Sequence, residues 1–172
     1  MKKIFYIISS IFVLTLFSTC QPQPDIEKEK ENIIAVIEEE RNAYFDRDIS
    51  RLEAIWVQDS TSKRIFRSDQ ALIFLDGWSE IYANYSEDIN SDIWKDYEDL
   101  KADLTGYEVY VFNNSAMAYH VIAWTGKYLG EDVGAEQIRA IHLVKIDEVW
   151  KMNFIAQLTV PSPIEEIIED VE

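Results

Sequence analysis

The stretch 116–160 constrains the fold of this chain more than any other part of the sequence. It contains two or three long runs of β-branched, aromatic and small residues, with a break at LGEDVGAE. In the first run, Met117, Tyr119 and Val121 fall on one face of a strand, whereas His120 and Trp124 fall on the other. Alternation of this length predicts an antiparallel meander with one buried face.

The last run of this stretch alternates in the same way and ends before two prolines. Trp150 heads the run and is predicted to pack between the sheet and the helices, where it would determine the fold. An acidic tail is predicted at 161–172. The two predicted faces of the run are Met152, Phe154, Ala156 and Leu158 on one side, and Asn153, Ile155, Gln157 and Thr159 on the other.

Helical periodicity dominates the N-terminal half. Apolar residues recur at helical spacing over 25–48, which predicts an amphipathic helix with the residues 38–41 (EEER) on its wet face. Ser50 and Glu53 fit a capping box that opens a second, short helix. The stripe of the first helix consists of Ile26, Ile33, Ile34, Ile37, Tyr44 and Phe45.

Short strands and a third helix connect these helices to the meander. The segments 63–66 and 71–75 read as strands, a helix starts at Asp76 or Gly77, and 97–112 reads as a strand with a bend at Thr105. Helices that precede an antiparallel sheet predict an α+β fold.

The charge of the chain argues against nucleic acid as a partner. The chain contains 16 Lys and Arg residues and 32 Asp and Glu residues, which gives a formal net charge of −16. Such a surface repels phosphate backbones, so most of this charge is interpreted as a solvated exterior that favours solubility.

The first twenty residues, MKKIFYIISSIFVLTLFSTC, resemble a bacterial lipoprotein signal. Two lysines precede an apolar stretch, Ile4 to Phe17, that is short for a membrane span. Ser18 and Thr19 follow it, directly before Cys20, the single cysteine of the chain. We therefore predict a signal peptide at 1–19, lipidation at Cys20 and a tether at 20–26. The alternative is a secretory leader or an uncleaved anchor in which Cys20 is incidental.

Several segments resemble the SnoaL-like, nuclear transport factor 2-like superfamily. They are IIAVIEEERNAYFDRDISRLEAIW and IFLDGWSEIYANY in the helical part, and NNSAMAYHVIAW and IRAIHLVKIDEVWKMNFIAQLT in the sheet. The resemblance covers 27–160, which becomes the predicted domain. It implies a cone-shaped, cystatin-like fold, in which a curved antiparallel sheet of about five or six strands wraps around N-terminal helices and a pocket.

The resemblance also implies two details of the closing hairpin. It places an arginine on the cavity face of the penultimate strand, which here is Arg139, and an arginine can bind a carboxylate through two parallel hydrogen bonds. The alternative is an edge-strand charge that pairs with Glu136 or another acid. Asp147 and Glu148 replace the Asp-Gly turn that is usual in relatives, which predicts a longer hairpin.

The sequence lacks the common motifs for metals, cofactors and nucleophilic catalysis. No histidine or cysteine cluster has metal-ligand spacing, and no Walker A, dinucleotide-binding or G-x-S-x-G motif is present. We therefore expect neither a metal nor a cofactor.

Candidate site residues are histidines and aromatic side chains of the predicted pocket. His120 and His142 lie on strands that should be neighbours, and each is interpreted either as an ordinary hydrogen-bonded histidine or as a general acid or base. Aromatic side chains either line the cavity or pack in the core. The aromatic candidates are Tyr44, Trp56, Tyr82, Tyr119 and Trp124.

Three functions remain open from the sequence. The first is a lipid-anchored protein of the bacterial cell envelope that binds a small, partly apolar or acidic molecule. The second is an enzyme that resembles the isomerases and dehydratases of this superfamily. Such an enzyme would combine His120 or His142 with Tyr44 or Asp59 for proton transfer. The third is a ligand-free domain that forms a homodimer through the sheet face.

Export is predicted to end in lipidation at Cys20. The Cys20→Ser variant should move from the membrane fraction to the soluble fraction, because this residue would carry the acyl anchor. Fractionation and labelling with a fatty-acid analogue would measure this. A variant that stays in the membrane, together with a wild type that takes up no label, would contradict the prediction.

Overall fold

The computed structural model describes residues 25–67 and 71–159. The predicted signal peptide, Cys20 and the acidic tail therefore lie outside the described residues. No helix of the described ranges is long and apolar enough to cross a membrane. The elements are α1 (Ile26–Phe45), α2 (Ile49–Ile55), β1 (Lys63–Arg67), β2 (Leu72–Asp76), α3 (Trp78–Ile89), a 3₁₀ helix (Asp92–Asp96), β3 (Tyr97–Phe112), β4 (Ser115–Tyr128), β5 (Glu131–Ile146) and β6 (Val149–Thr159).

The sheet has six strands in the order β2-β1-β6-β5-β4-β3. Strands β3 to β6 form the antiparallel meander that the alternation predicts, while β1 joins β6 in parallel and β2 in antiparallel orientation. The sheet curves around the helices without closing into a barrel. The α+β class, the number of strands and the N-terminal position of the helices are thus confirmed.

Helix α1 buries one stripe of side chains against the sheet. The stripe includes Glu40, which is 5% exposed, so the prediction that 38–41 is a wet surface is wrong at this position. The fold accommodates the carboxylate because Arg139 and Tyr85 donate hydrogen bonds to it. The buried members of the stripe are Ile33, Ile37, Glu40 and Ala43.

Helix α2 begins earlier than the predicted capping box. Asp48 is its N-cap, and the Asp48 carboxylate accepts hydrogen bonds from the backbone nitrogens of Ser50 at 3.0 Å and Arg51 at 3.2 Å. Aspartate serves well here because it satisfies backbone donors that have no partner inside the helix. Ser50 therefore lies within the first turn, and the Ser50–Glu53 box is a wrong prediction.

Two-residue turns close the last two hairpins. Leu129 and Gly130 connect β4 to β5, so the predicted break at LGEDVGAE is shorter than expected and β5 starts at Glu131. Asp147 and Glu148 connect β5 to β6, with φ of 50° and 64°. Positive φ at both central residues is typical of a type I′ turn, which matches the twist of the strands. The longer hairpin predicted at this point is therefore wrong.

A β-bulge changes which side chains of β6 face the helices. Leu143 pairs with Met152 and His142 pairs with Phe154, which leaves Asn153 as an extra residue. The faces predicted from strict alternation are wrong beyond this point, because the extra residue shifts the period by one. Met152 and Ile155 are consequently both buried.

The concave face of the sheet carries the core, and the convex face carries exposed apolar side chains. Ala118, Ile122, Ile141 and Leu143 point toward the helices and are buried. The exposed fractions on the convex face are 51% for Tyr110, 40% for Tyr119 and 50% for Ile138. Homodimer formation through this face stays a prediction.

Trp150 should be a determinant of stability. Its side chain is 3% exposed, and its Nε1 donates a hydrogen bond to Glu29 Oε2 at 2.6 Å. The Trp150→Ala change should lower the free energy of unfolding by about 3–5 kcal/mol, because it leaves a large cavity. Denaturant unfolding measures this loss. Val149→Ala, which alters a 54% exposed neighbour, is the control and should have little effect. A loss below about 1 kcal/mol in Trp150→Ala would contradict the assigned packing.

Candidate functional site

A cavity of about 440 Å³ lies between the concave face of the sheet, helices α1 and α3, and the 3₁₀ helix. Its floor carries charged side chains, its walls are largely aromatic, and one side is lined by amides. The residues used below are Glu40, Tyr44, Arg64, Phe66, Tyr85, Asp88, Trp94, Trp124, Gln137, Arg139 and Gln157.

A buried ion pair forms part of the cavity floor. Arg139 donates from Nη1 to Glu40 Oε2 at 2.9 Å and from Nη2 to Glu40 Oε1 at 3.1 Å, and Tyr85 donates from its hydroxyl to the same Oε1 at 2.7 Å. Burial alone would raise the pKa of Glu40, but the charge and hydrogen bonds of Arg139 outweigh this effect and lower it. Both Arg139 Nη groups are therefore occupied by one internal carboxylate.

Arg64 lies beside this pair and has no carboxylate partner within 4.0 Å among the described residues. Arg64 lies on β1 and is 7% exposed. The guanidinium carbon lies 4.3 Å from the ring centre of Tyr85 and 4.7 Å from that of Phe66, while Nη1 donates to Asn84 Oδ1 at 2.6 Å. Arg64 Nε is buried and has no hydrogen-bond partner within the described ranges.

Aromatic rings and the carboxylate of Asp88 form another wall of the cavity. The Tyr44 hydroxyl donates to Asp88 Oδ2 at 2.5 Å. Burial raises the pKa of Tyr44, and the negative Asp88 reinforces the shift, so Tyr44 stays a hydrogen-bond donor over the physiological range. The Tyr44 ring packs edge-on against Trp94 at 5.3 Å and against Trp124 at 6.2 Å between ring centres.

A pair of glutamines lines a third side. Gln137 Oε1 accepts hydrogen bonds from Trp124 Nε1 at 3.0 Å and from Gln157 Nε2 at 2.8 Å. This arrangement leaves the Gln137 amide N–H groups and the Gln157 carbonyl available to other partners. The bulge at Asn153 is what turns Gln157 toward the cavity.

Comparison with solved structures identifies the fold of this chain. No protein-family model and no curated protein matches the chain. A nuclear transport factor 2-like superfamily protein from Salmonella enterica serovar Typhimurium LT2 superposes with a TM-score of 0.66 at 16% identity, over 82% of this chain and 98% of that one. The chain has the nuclear transport factor 2-like fold. The fold implied by the sequence resemblance is thus confirmed.

Two further solved structures share the nuclear transport factor 2-like fold with this chain. Hexachlorocyclohexane dehydrochlorinase LinA-type3 from Novosphingobium barchaimii LL02 has a TM-score of 0.63 at 14% identity, over 83% of this chain and 94% of that one. An uncharacterized protein with a cystatin-like fold from Caulobacter vibrioides has a TM-score of 0.59 at 18% identity, over 77% and 89%. At such identities the likeness concerns the fold, and function has to be argued from the site.

The two histidines lie apart in this fold although their strands are neighbours. His120 is on the concave face, 2% exposed, stacked on Tyr107 at 5.4 Å, and its Nε2 has no partner. His142 is on the opposite face, where Nδ1 lies 2.6 Å from Asn153 Oδ1. Neither histidine is among the residues that line the cavity. Asp59 lies outside the cavity as well, and its carboxylate accepts a hydrogen bond from the backbone nitrogen of Thr61.

The predicted site residues are divided among four places. Tyr44, Trp124 and Arg139 line the cavity. Trp56, fully buried, and His120 belong to the interior. His142 and Tyr119 lie on the convex face, and Tyr82 lines a shallow groove beside Trp78. Participation in ligand binding stays a prediction for all of them. No group of three or more metal-ligating side chains occurs in the described ranges.

Sequence reasoning missed several cavity residues. Glu40 had a usable signal, because it continues the spacing of Ile33 and Ile37 on the buried stripe. Arg64 and Asp88 had none, since each stands in a short polar context, and only the tertiary fold brings them to the cavity.

The buried His120 should make stability depend on pH. Burial, together with the positive Arg139 beside it, lowers the pKa of His120 from 6.5 to about 4. Between these pH values the unfolded chain binds a proton that the folded protein does not, so stability falls as the pH falls. His120→Phe should remove a loss of about 3 kcal/mol between neutral pH and pH ~4. Denaturant unfolding of both proteins at several pH values measures the difference. Identical pH dependences would contradict this assignment.

Proposed function

We propose that this chain binds a small, partly aromatic molecule in its cavity and does so at a bacterial cell envelope, where a lipid on Cys20 anchors it. The observation that carries the proposal is a cavity with aromatic walls and polar groups in fixed positions. Its volume of about 440 Å³ is within the range of ~300–1,000 Å³ that is typical of small-molecule sites.

The walls support a flat, apolar ligand body. Trp94 and Trp124 are held by edge-on packing against Tyr44, and Trp124 is also hydrogen-bonded to Gln137. Rings that are fixed before binding lose little conformational entropy when a ligand packs on them. The amides of Gln137 and Gln157 supply orientation through donors and acceptors.

Catalysis is the second candidate, and one observation favours it. Asp88 and Tyr44 form a short hydrogen bond at the cavity wall, and a carboxylate with a tyrosine can move a proton at a bound carbonyl compound. The predicted combination with a histidine has no support from the cavity lining, because His120 and His142 are elsewhere. Binding without turnover therefore ranks first.

The location rests on the leader alone. Its two lysines, short apolar core and boundary cysteine support export and lipidation, and the charged, proline-containing segment that follows suits a tether. An anchored domain of this kind would meet its ligand outside the cytoplasm.

Fragment binding tests the proposal. Ligand-observed fluorine NMR with a library of fluorinated aryl fragments should find binders to the wild-type domain. Trp124→Ala should weaken them about tenfold or more, because it removes an aromatic wall. Tyr119→Ala, on the convex face of the same strand, is the matched control and should leave affinity unchanged.

Three other outcomes are informative. A wild type that binds no fragment refutes the proposal, and equal losses in the two variants place binding outside the cavity. A fragment that is converted to a new species by wild type and not by Asp88→Asn favours the catalytic candidate.

A further inference from the structure

Arg64 is a buried cation that makes no ion pair of its own within the described residues. Arg139 and Glu40 cancel each other through two hydrogen bonds, and no ion pair involves Arg64 in the described part of the chain. A charge without a counter-ion is costly to keep inside a protein. The structure therefore contains a cost that an incoming negative group would relieve.

We propose that Arg64 receives the carboxylate of a monoanionic ligand whose aromatic body occupies the cavity. This inference rests on the proposed binding function and specifies the class of ligand. It assigns the anion-binding role to Arg64 in place of Arg139.

The donors of Arg64 fit a carboxylate. Nη1 is engaged by Asn84, and Nη2 has no hydrogen bond to any described residue. Nε has no partner among the described residues either, and it is buried beneath the cavity surface. The Nε and Nη2 groups form one edge of the planar guanidinium, and this edge matches the two oxygens of a carboxylate.

The surroundings hold this edge in place. The guanidinium carbon lies over the rings of Tyr85 and Phe66, 4.3 and 4.7 Å from their centres, and these cation–π contacts restrict its position. The contacts also compensate part of the charge of Arg64. Arg64 is thus positioned before a ligand arrives, and a small local shift that uncovers the buried Nε completes the two-pronged contact.

The charge balance favours a single negative charge on the ligand. Three arginines and two carboxylates line the cavity, which leaves one surplus positive charge in a chain with a net charge of −16. A second negative charge would face Glu40 and Asp88 and would be repelled by them. A carboxylate therefore fits better than a dianionic phosphate ester.

Matched pairs of acids and amides test this inference. The probes are 4-fluorophenylacetate and 3-fluorocinnamate, each compared with its primary amide, with titration by fluorine NMR at pH ~7. Wild type should bind each acid about tenfold or more tightly than its amide, because hydrogen bonds to charged groups are the stronger kind. Arg64→Leu should abolish the preference, so that each acid binds no more tightly than its amide, and the unfolding transition of the variant verifies its fold.

The strand offers a matched control. Arg67→Leu removes an exposed arginine of the same strand and should keep the full preference for acids. Arg64→Lys keeps the charge without the planar edge and should retain only part of the preference. 4-Fluorophenyl phosphate should bind more weakly than the acids.

Failure of this inference is distinguishable from failure of the proposed function. Amides that bind wild type as tightly as the acids refute the role of Arg64 and leave small-molecule binding intact. A preference for acids that survives in Arg64→Leu, or a phosphate that binds more tightly than the acids, also refutes it. If neither member of any pair binds, both proposals are refuted.

Discussion

The buried ion pair between Glu40 and Arg139 connects the first helix to the sheet, and the cavity depends on it. The two residues lie 99 positions apart, and their side chains are 6% and 3% exposed. Neither charge could stay inside the fold without the other, because an unpaired buried ion is strongly destabilising. Tyr85 adds a hydrogen bond from α3 to the same carboxylate. The helices α1 and α3 and the strand β5 thus meet at the carboxylate of Glu40, and this contact fixes the two helices over the concave face of the sheet.

The sheet was predictable because its signals are local. Alternation within each strand follows from the backbone geometry, and the runs around His120 and Ile141 show it without interruption. The extra residue at Asn153 was not predictable, since a bulge leaves no reliable mark in a sequence of alternating residues. Its consequence is large, because one inserted residue turns Ile155 and Gln157 inward and so gives the cavity one of its amides.

The site was less predictable than the fold because its polar residues depend on distant contacts. Arg139 stands in an apolar run, and the family resemblance drew attention to it. Glu40 lies in a run of acids that reads as a solvated surface, and only its ion pair explains why it is buried. Arg64 belongs to a short strand whose position follows from parallel pairing with β6, a contact that no local pattern encodes.

Two of the three arginines that line the cavity, Arg64 and Arg139, differ in what a ligand could gain from them. A carboxylate that displaced Glu40 from Arg139 would leave a buried charge unpaired, at a cost of about 3–5 kcal/mol. A hydrogen-bonded contact to a charged group contributes about 1.5–3 kcal/mol, so the exchange is unfavourable. At Arg64 no carboxylate of the described residues would have to leave, so the proposed contact would not carry this cost. Arg139 therefore holds the first helix against the sheet, and for this reason our proposal assigns the ligand to Arg64.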